Sequence, residues 1–166
     1  MRAILFSIPV AFSATFGCGG PEPPPLAPKA SVKDLMVSIV DPAADALWGS
    51  VGSVISEAGV DEWYPRTDED WAVVRRNAVT IMESGNLLMI GDRARDRGAW
   101  MEMSRALVDA GAEALEAAES KDPDAVFAVG EKIYVTCERC HGLYRIDEVV
   151  IPNGPNEPNG PGSGGD

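Results

Sequence analysis

Near the C-terminal end of the chain, Cys137-Glu138-Arg139-Cys140-His141 sets two thiols two residues apart, with an imidazole directly after the second. C-x-x-C-H is the attachment pattern of a c-type haem. Each thiol can add across a haem vinyl group to form a thioether, and the two-residue gap matches the spacing of the vinyls. The histidine is then held against the iron. The expectation is one covalently attached haem c per chain, bound through Cys137 and Cys140 with His141 as proximal ligand. His141 is the only histidine; as a ligand its coordinating nitrogen is neutral while the other ring nitrogen bonds a carbonyl, carboxylate or water.

Other uses of the pair stay open. A thiol–disulfide couple usually opens a helix after a strand, where the helix dipole lowers the first thiol pKa; here the pair closes an acidic, alanine-rich helical stretch. Zinc needs about four ligands, and the chain has no second cysteine pair. A structural disulfide in an exported protein is the third reading. No nucleophilic triad, phosphate-binding glycine loop or paired-carboxylate spacing stands out, so the chain does not read as an enzyme.

Positioning such a motif requires a packed domain, and the chain has the length for one core. With 26 acidic against 14 basic residues, the net charge of −12 argues against a nucleic-acid binder, which needs a basic face. It suits a redox protein partner of basic character, or plain solubility. Residues 1–17 read as a signal peptide, with Arg2 before an apolar run broken by Ser7 and Pro9 and too short to span a bilayer. Thr15-Phe16-Gly17-Cys18 resembles a bacterial lipoprotein processing site, with Thr15 where leucine is usual, which would make Cys18 a lipidated membrane anchor; an ordinary secreted protein cut nearby is the alternative. Gly19 after it resembles an outer-membrane sorting signal. The expected location is the periplasmic face of the cell envelope. Residues 18–30 form a proline-rich tether, 31–150 the folded domain, and 151–166 a Gly/Pro/Asn-rich tail expected to be disordered.

Four amphipathic helices are expected. The first starts at the N-cap Ser31 and carries Leu35, Ile39, Ala43, Ala46 and Val54 on one stripe, beside Met36, Val40, Leu47 and Val51. Pro42 should kink it or cut it after Asp41, and Gly59 should end it. Thr67 and its following acids open the second, with Trp71, Val74, Ala78, Ile81, Gly85 and Leu88 inward and a stop near Gly91. The third, from about Ala99 to Ser120, buries Trp100, Met103, Leu107, Ala110, Ala114 and Ala117. Asp122-Pro123 starts the fourth, along which Val126, Val129, Ile133 and Cys137 recur. No segment reads as a strand with a turn partner. Trp48, Trp71 and Trp100 read as core aromatics, with a place against the haem as the alternative for one of them. The expected fold is all-α, an antiparallel four-helix bundle with the haem motif at the end of its fourth helix. Its many inward alanines and glycines imply close packing or room for something large and flat.

The ending Gly130-Glu131-Lys132-Ile133-Tyr134, then Cys137 to His141, then Tyr144-Arg145, resembles that of the cytochrome c-prime superfamily. The similarity covers about residues 31–145 and extends to the low-spin branch, the cytochromes c-556. It implies a methionine from the first helix as sixth ligand and electron transfer in the low-spin branch, or an open site that binds nitric oxide or carbon monoxide in the five-coordinate branch. Ser31 to Met36 resembles the start of the family's first helix, with Lys33 where arginine is common and Met36 in the distal position; the Asp41-Pro42 break departs from the pattern. Met36 as ligand and Arg145 beside a haem propionate are the assignments the resemblance implies, with core filler and a surface ion pair as their alternatives. Family members often form homodimers through the first two helices. A noncatalytic interaction domain with a structural haem is a further reading.

Overall fold

The computed structural model describes residues 25–145. The leader, Cys18, much of the tether and the 151–166 tail lie outside the described residues, as does the last stretch of the expected domain.

The first helical segment is built in three parts: α1 (Val32–Leu35), a π-helical turn (Met36–Val40) and α2 (Asp41–Trp48). Ser31 caps it reciprocally, its Oγ accepting from the Asp34 N–H while the Asp34 carboxylate accepts from the Ser31 N–H. At Pro42 the chain neither stops nor breaks. The Asp41 N–H reaches back five residues to the Met36 carbonyl, and α2 takes Pro42, which has no N–H to donate, into its first turn. The widened turn passes the helix through the proline.

Beyond Trp48 the expectation of a helix to Gly59 is wrong. Strands β1 (Gly52–Ser56) and β2 (Gly59–Trp63) pair as an antiparallel hairpin, with Ser56 opposite Gly59 and Gly52 opposite Trp63. Val54 therefore lies exposed on a strand, and Ala46 is exposed on α2. Two causes favour the hairpin. The β-branched Val54, Ile55 and Val60 suit extended backbone, and Gly59 leaves the turn at φ +133°, where side chains are disfavoured. Trp63 then folds back, its Nε1 donating to the Gly49 carbonyl at 3.1 Å. Its ring occupies the space where a side chain on Gly52 would begin.

The three long helices match their expected starts. Thr67 and Asp70 form a second reciprocal cap on α3 (Asp68–Leu88). α4 spans Ala99–Glu119. Asp122 caps α5 (Pro123–Tyr144) by accepting from the N–H groups of Asp124 and Ala125. Around them Leu47, Val74, Ile81, Val126 and Ile133 are almost fully buried, each contributing about 1.5–3 kcal/mol of burial. The fold is thus an all-α bundle of four helices (α2 to α5) with an appended hairpin. Neighbours run in opposite senses: Gly85 meets Ser104 and Val108 while Gly111 meets Met82, Lys132 bridges to Glu113, and Trp100 packs on Tyr144. Among the described residues no helix is long and apolar enough to cross a membrane.

Small residues close one side of this bundle and not the other. Gly85 and Gly111 let the α3 and α4 backbones approach so nearly that a Cβ on either glycine would come within 2.6 Å of the opposite helix. Ala110, Ala114, Ala117 and Ala118 are buried along the same helix. Between α5 and the first helical segment the packing opens into a cleft.

Candidate functional site

Cys137, Cys140 and His141 fall on one face of the last two turns of α5, at steps of three and one residues along a 3.6-residue helix. All three border a cavity of about 450 Å³, within the size range of small-molecule and cofactor sites. Opposite them, Met36, Val40 and Ala44 come from the first helical segment, and Leu88 and Leu107 supply apolar wall. Met36 belongs to the π-turn, so the irregularity at Pro42 sets the part of the helix that faces α5; single π-turns often occur at functional sites.

A second lobe of about 490 Å³ shares Met36, Asp41, Cys140 and His141 with the first. It is walled by Trp100 and Tyr144 and carries Lys33, Arg95 and Arg145. The cleft therefore flanks His141 with an apolar lobe on one side and a lobe rich in cations on the other. Tyr144 is held by its hydroxyl, which donates to the Asp96 carboxylate. Its ring stands edge-on to Trp100 at 5.0 Å, and the Trp100 Nε1 donates to the Leu88 carbonyl at 2.9 Å. The same Asp96 accepts from the N–H groups of Gly98 and Trp100, which ties the start of α4 to the last turn of α5.

The two thiols are unpaired. Burial pushes the Cys137 thiol up to about 11, with the neighbouring Cys140 and Asp41 adding to the effect. Burial raises Cys140 as well. A thiol–disulfide couple uses a depressed thiol pKa, and the shift at both of these cysteines runs the other way. Among the described residues no three Cys, His, Asp or Glu side chains gather to hold a bare metal ion, which leaves a four-ligand zinc site without a candidate there. The cleft does fit a flat, largely apolar, covalently held group with an anionic edge. It offers two unpaired thiols and an imidazole on one helical face, a thioether across from them, apolar walls and cations in the adjoining lobe.

No family model, curated protein or solved structure matches the chain.

Of the residues singled out in the sequence, Met36, Cys137, Cys140 and His141 are brought together in the cleft, and Arg145 joins its second lobe. Cys18 lies outside the described residues. Trp71 and Trp100 are buried as expected, but Trp48 is 37% exposed. It lies across α5 beside Tyr134, the ring centroids 6.3 Å apart, and donates to the Gly130 carbonyl at 2.9 Å. Trp48 borders the cleft, the alternative to a core role, and Asp41, Arg95 and Leu88 border it although the sequence pattern does not single them out for it. Asp41 and Trp48 flank the stripe through Val40, Ala44 and Leu47 and could have been found from it. Arg95 sits in a loop, where no periodicity points to it.

Proposed function

We propose that this chain is a c-type cytochrome that carries single electrons in the bacterial cell envelope, with one covalently attached haem c. The observation that supports it best is the meeting of Cys137, Cys140 and His141 on α5 with Met36 of the first helical segment around one apolar cleft. When bound, haem c supplies a one-electron Fe(II)/Fe(III) couple. Cys137 and Cys140 would anchor it by thioethers, and His141 would present a ring nitrogen as proximal ligand. Met36 would offer its sulfur as sixth ligand, a choice that favours Fe(II) and raises the reduction potential. Arg145, with Lys33 and Arg95 in the same lobe, would face the anionic propionate edge. Val40, Ala44, Leu88 and Leu107 exclude water. In this reading the bundle is of the cytochrome c-prime type and closest to its low-spin branch. Cys18 is the acylated first residue of the mature protein, anchored at the outer membrane.

One preparation tests the proposal. The intact mass of the mature protein should equal the polypeptide from Cys18 plus acyl chains and one haem, and haem absorbance should stay with the chain through denaturation and acidified organic solvent. Loss of all haem ends the proposal. Spectra of oxidised and reduced protein should be low-spin, and Met36→Ala should convert the site to high-spin. A wild type that is already high-spin and binds carbon monoxide moves the function to gas binding. A low-spin site that survives Met36→Ala moves the sixth ligand elsewhere.

A further inference from the structure

We infer that the apolar groove on the far side of Trp48 and Tyr134, between α2 and α5 and running on toward the hairpin, is the docking surface for a protein partner with an apolar centre and a basic rim. The groove holds about 390 Å³ and is bordered by Trp48, Val51, Phe127 and Tyr134. A smaller depression of about 210 Å³ continues it from Val51 and Phe127 to Trp63 and Tyr64. Phe127 is 66% exposed and Tyr134 52%. At the hairpin tip the cross-strand pair Ile55 and Val60 stands in water at 81% and 59%. Exposed apolar side chains lining a groove of this kind mark an interaction site, and aromatic residues are enriched where partners bury.

Charge selects the occupant. Glu131 borders the groove, and Glu62 and Asp124 border its continuation; Glu57 and Asp61 add two further exposed acids on the hairpin. Lys132, next to Glu131, is drawn into a bridge with Glu113 of α4. A second copy would set this rim against itself in chains of net charge −12. The chain's own segment 146–166 carries Asp147, Glu148, Glu157 and Asp166 with no lysine or arginine, so it too is repelled. A basic partner is attracted and steered.

The groove and the cleft share a wall. Trp48 and Tyr134 border both. A side chain at Gly130 would begin 3.1 Å from the Trp48 ring, so the glycine permits the indole to lie there. A partner seated in the groove stands one aromatic pair from the cleft. That role in electron exchange rests on the haem reading; the docking does not.

The test is zero-length carbodiimide cross-linking of the full mature protein to a basic cytochrome c with a lysine-ringed face, with the links located by peptide mass spectrometry. Links should concentrate on Glu62, Asp124 and Glu131. They should disappear at high salt, where the screening length falls from about 10 Å at 0.1 M to about 3 Å at 1 M. Phe127→Lys, at an exposed position, should lower the yield about tenfold with the far-UV spectrum unchanged. Links spread over acids of α3 and α4 such as Glu83 and Asp109 overturn the inference, as does a yield unaffected by Phe127→Lys. Self-links at the three acids in place of probe links assign the surface to a second copy and also overturn it. Haem content is measured on the same sample: links at the three acids in haem-free protein uphold the docking surface while removing the electron-transfer reading.

Discussion

Replacing Gly111 by alanine should destabilise the bundle, although alanine is the better helix former. An ideal Cβ at Gly111 lies 2.4 Å from the Met82 backbone nitrogen and 2.5 Å from its Cα. These are backbone atoms, so no rotamer change relieves the overlap, and α3 and α4 must separate by roughly 1 Å to restore ordinary contact. Overpacking of a close interface costs about 1–3 kcal/mol, and a clash against backbone belongs at the upper end. The intrinsic helix preference returns about 1 kcal/mol. The net loss is therefore about 1–2 kcal/mol, which for a domain of this size lowers the melting temperature by roughly 5–10 °C. Gly142→Ala is the internal control. It makes the same exchange within α5, where nothing lies within 4 Å of the added carbon, so it should leave stability unchanged or raise it by up to about 1 kcal/mol. Both variants are compared with the parent by far-UV circular dichroism melting at matched haem content. A Gly111→Ala protein as stable as the parent, or more so, refutes the close approach of α3 and α4.

Polar contacts give two further expected outcomes. Arg93 is buried and donates to the Ala30 carbonyl at 3.0 Å and the Leu87 carbonyl at 3.1 Å, so Arg93→Ala should cost about 2–3 kcal/mol by leaving acceptors unpaired. Urea denaturation should show a lower midpoint at an unchanged m-value, and a midpoint within error of the parent rejects the role. The Tyr144 hydrogen bond lowers the Asp96 carboxyl below its ordinary value of 3.8 and, from the other side, raises the Tyr144 phenol above 10.0. The Asp96 contribution to stability is thus present above about pH 4 and lost as pH falls through the lowered value. The Tyr144 contribution is present below about pH 10 and lost as pH rises through the raised one. Tyr144→Phe should flatten both limbs of a stability profile between pH 2 and pH 11; an acid limb identical to the parent's argues against the bond.

The features legible in the sequence are those with short-range causes. Ser31 with Asp34, Thr67 with Asp70, and Asp122 before Pro123 each make their capping bonds within a few residues, so the residue types alone locate three helix starts. The spacing of Cys137, Cys140 and His141 is likewise a property of adjacent positions, and any helix places them on one face. The hairpin escapes the sequence pattern for a physical reason. Val51 and Val54 are three residues apart, a step that suits a helix, while Val54, Ile55 and Val60 suit extended backbone. The choice is made by Trp63 closing back on Gly49 and Gly52, a contact across more than ten residues. Pro42 could be read as a disturbance, but whether the helix stops or widens depends on how firmly the residues after it are held against the rest of the bundle. Leu47 is buried in that core and Trp48 is bonded to Gly130, and the helix continues. The same holds for the glycines and alanines. In sequence each is only a small inward residue. In the fold Gly111 closes α4 on Met82 and Gly130 admits the Trp48 indole, whereas Ala44 borders open space opposite His141. Capping bonds and motif spacing are set by neighbouring residues, whereas the cleft is the space left between helices whose separation depends on side chains far apart in the chain.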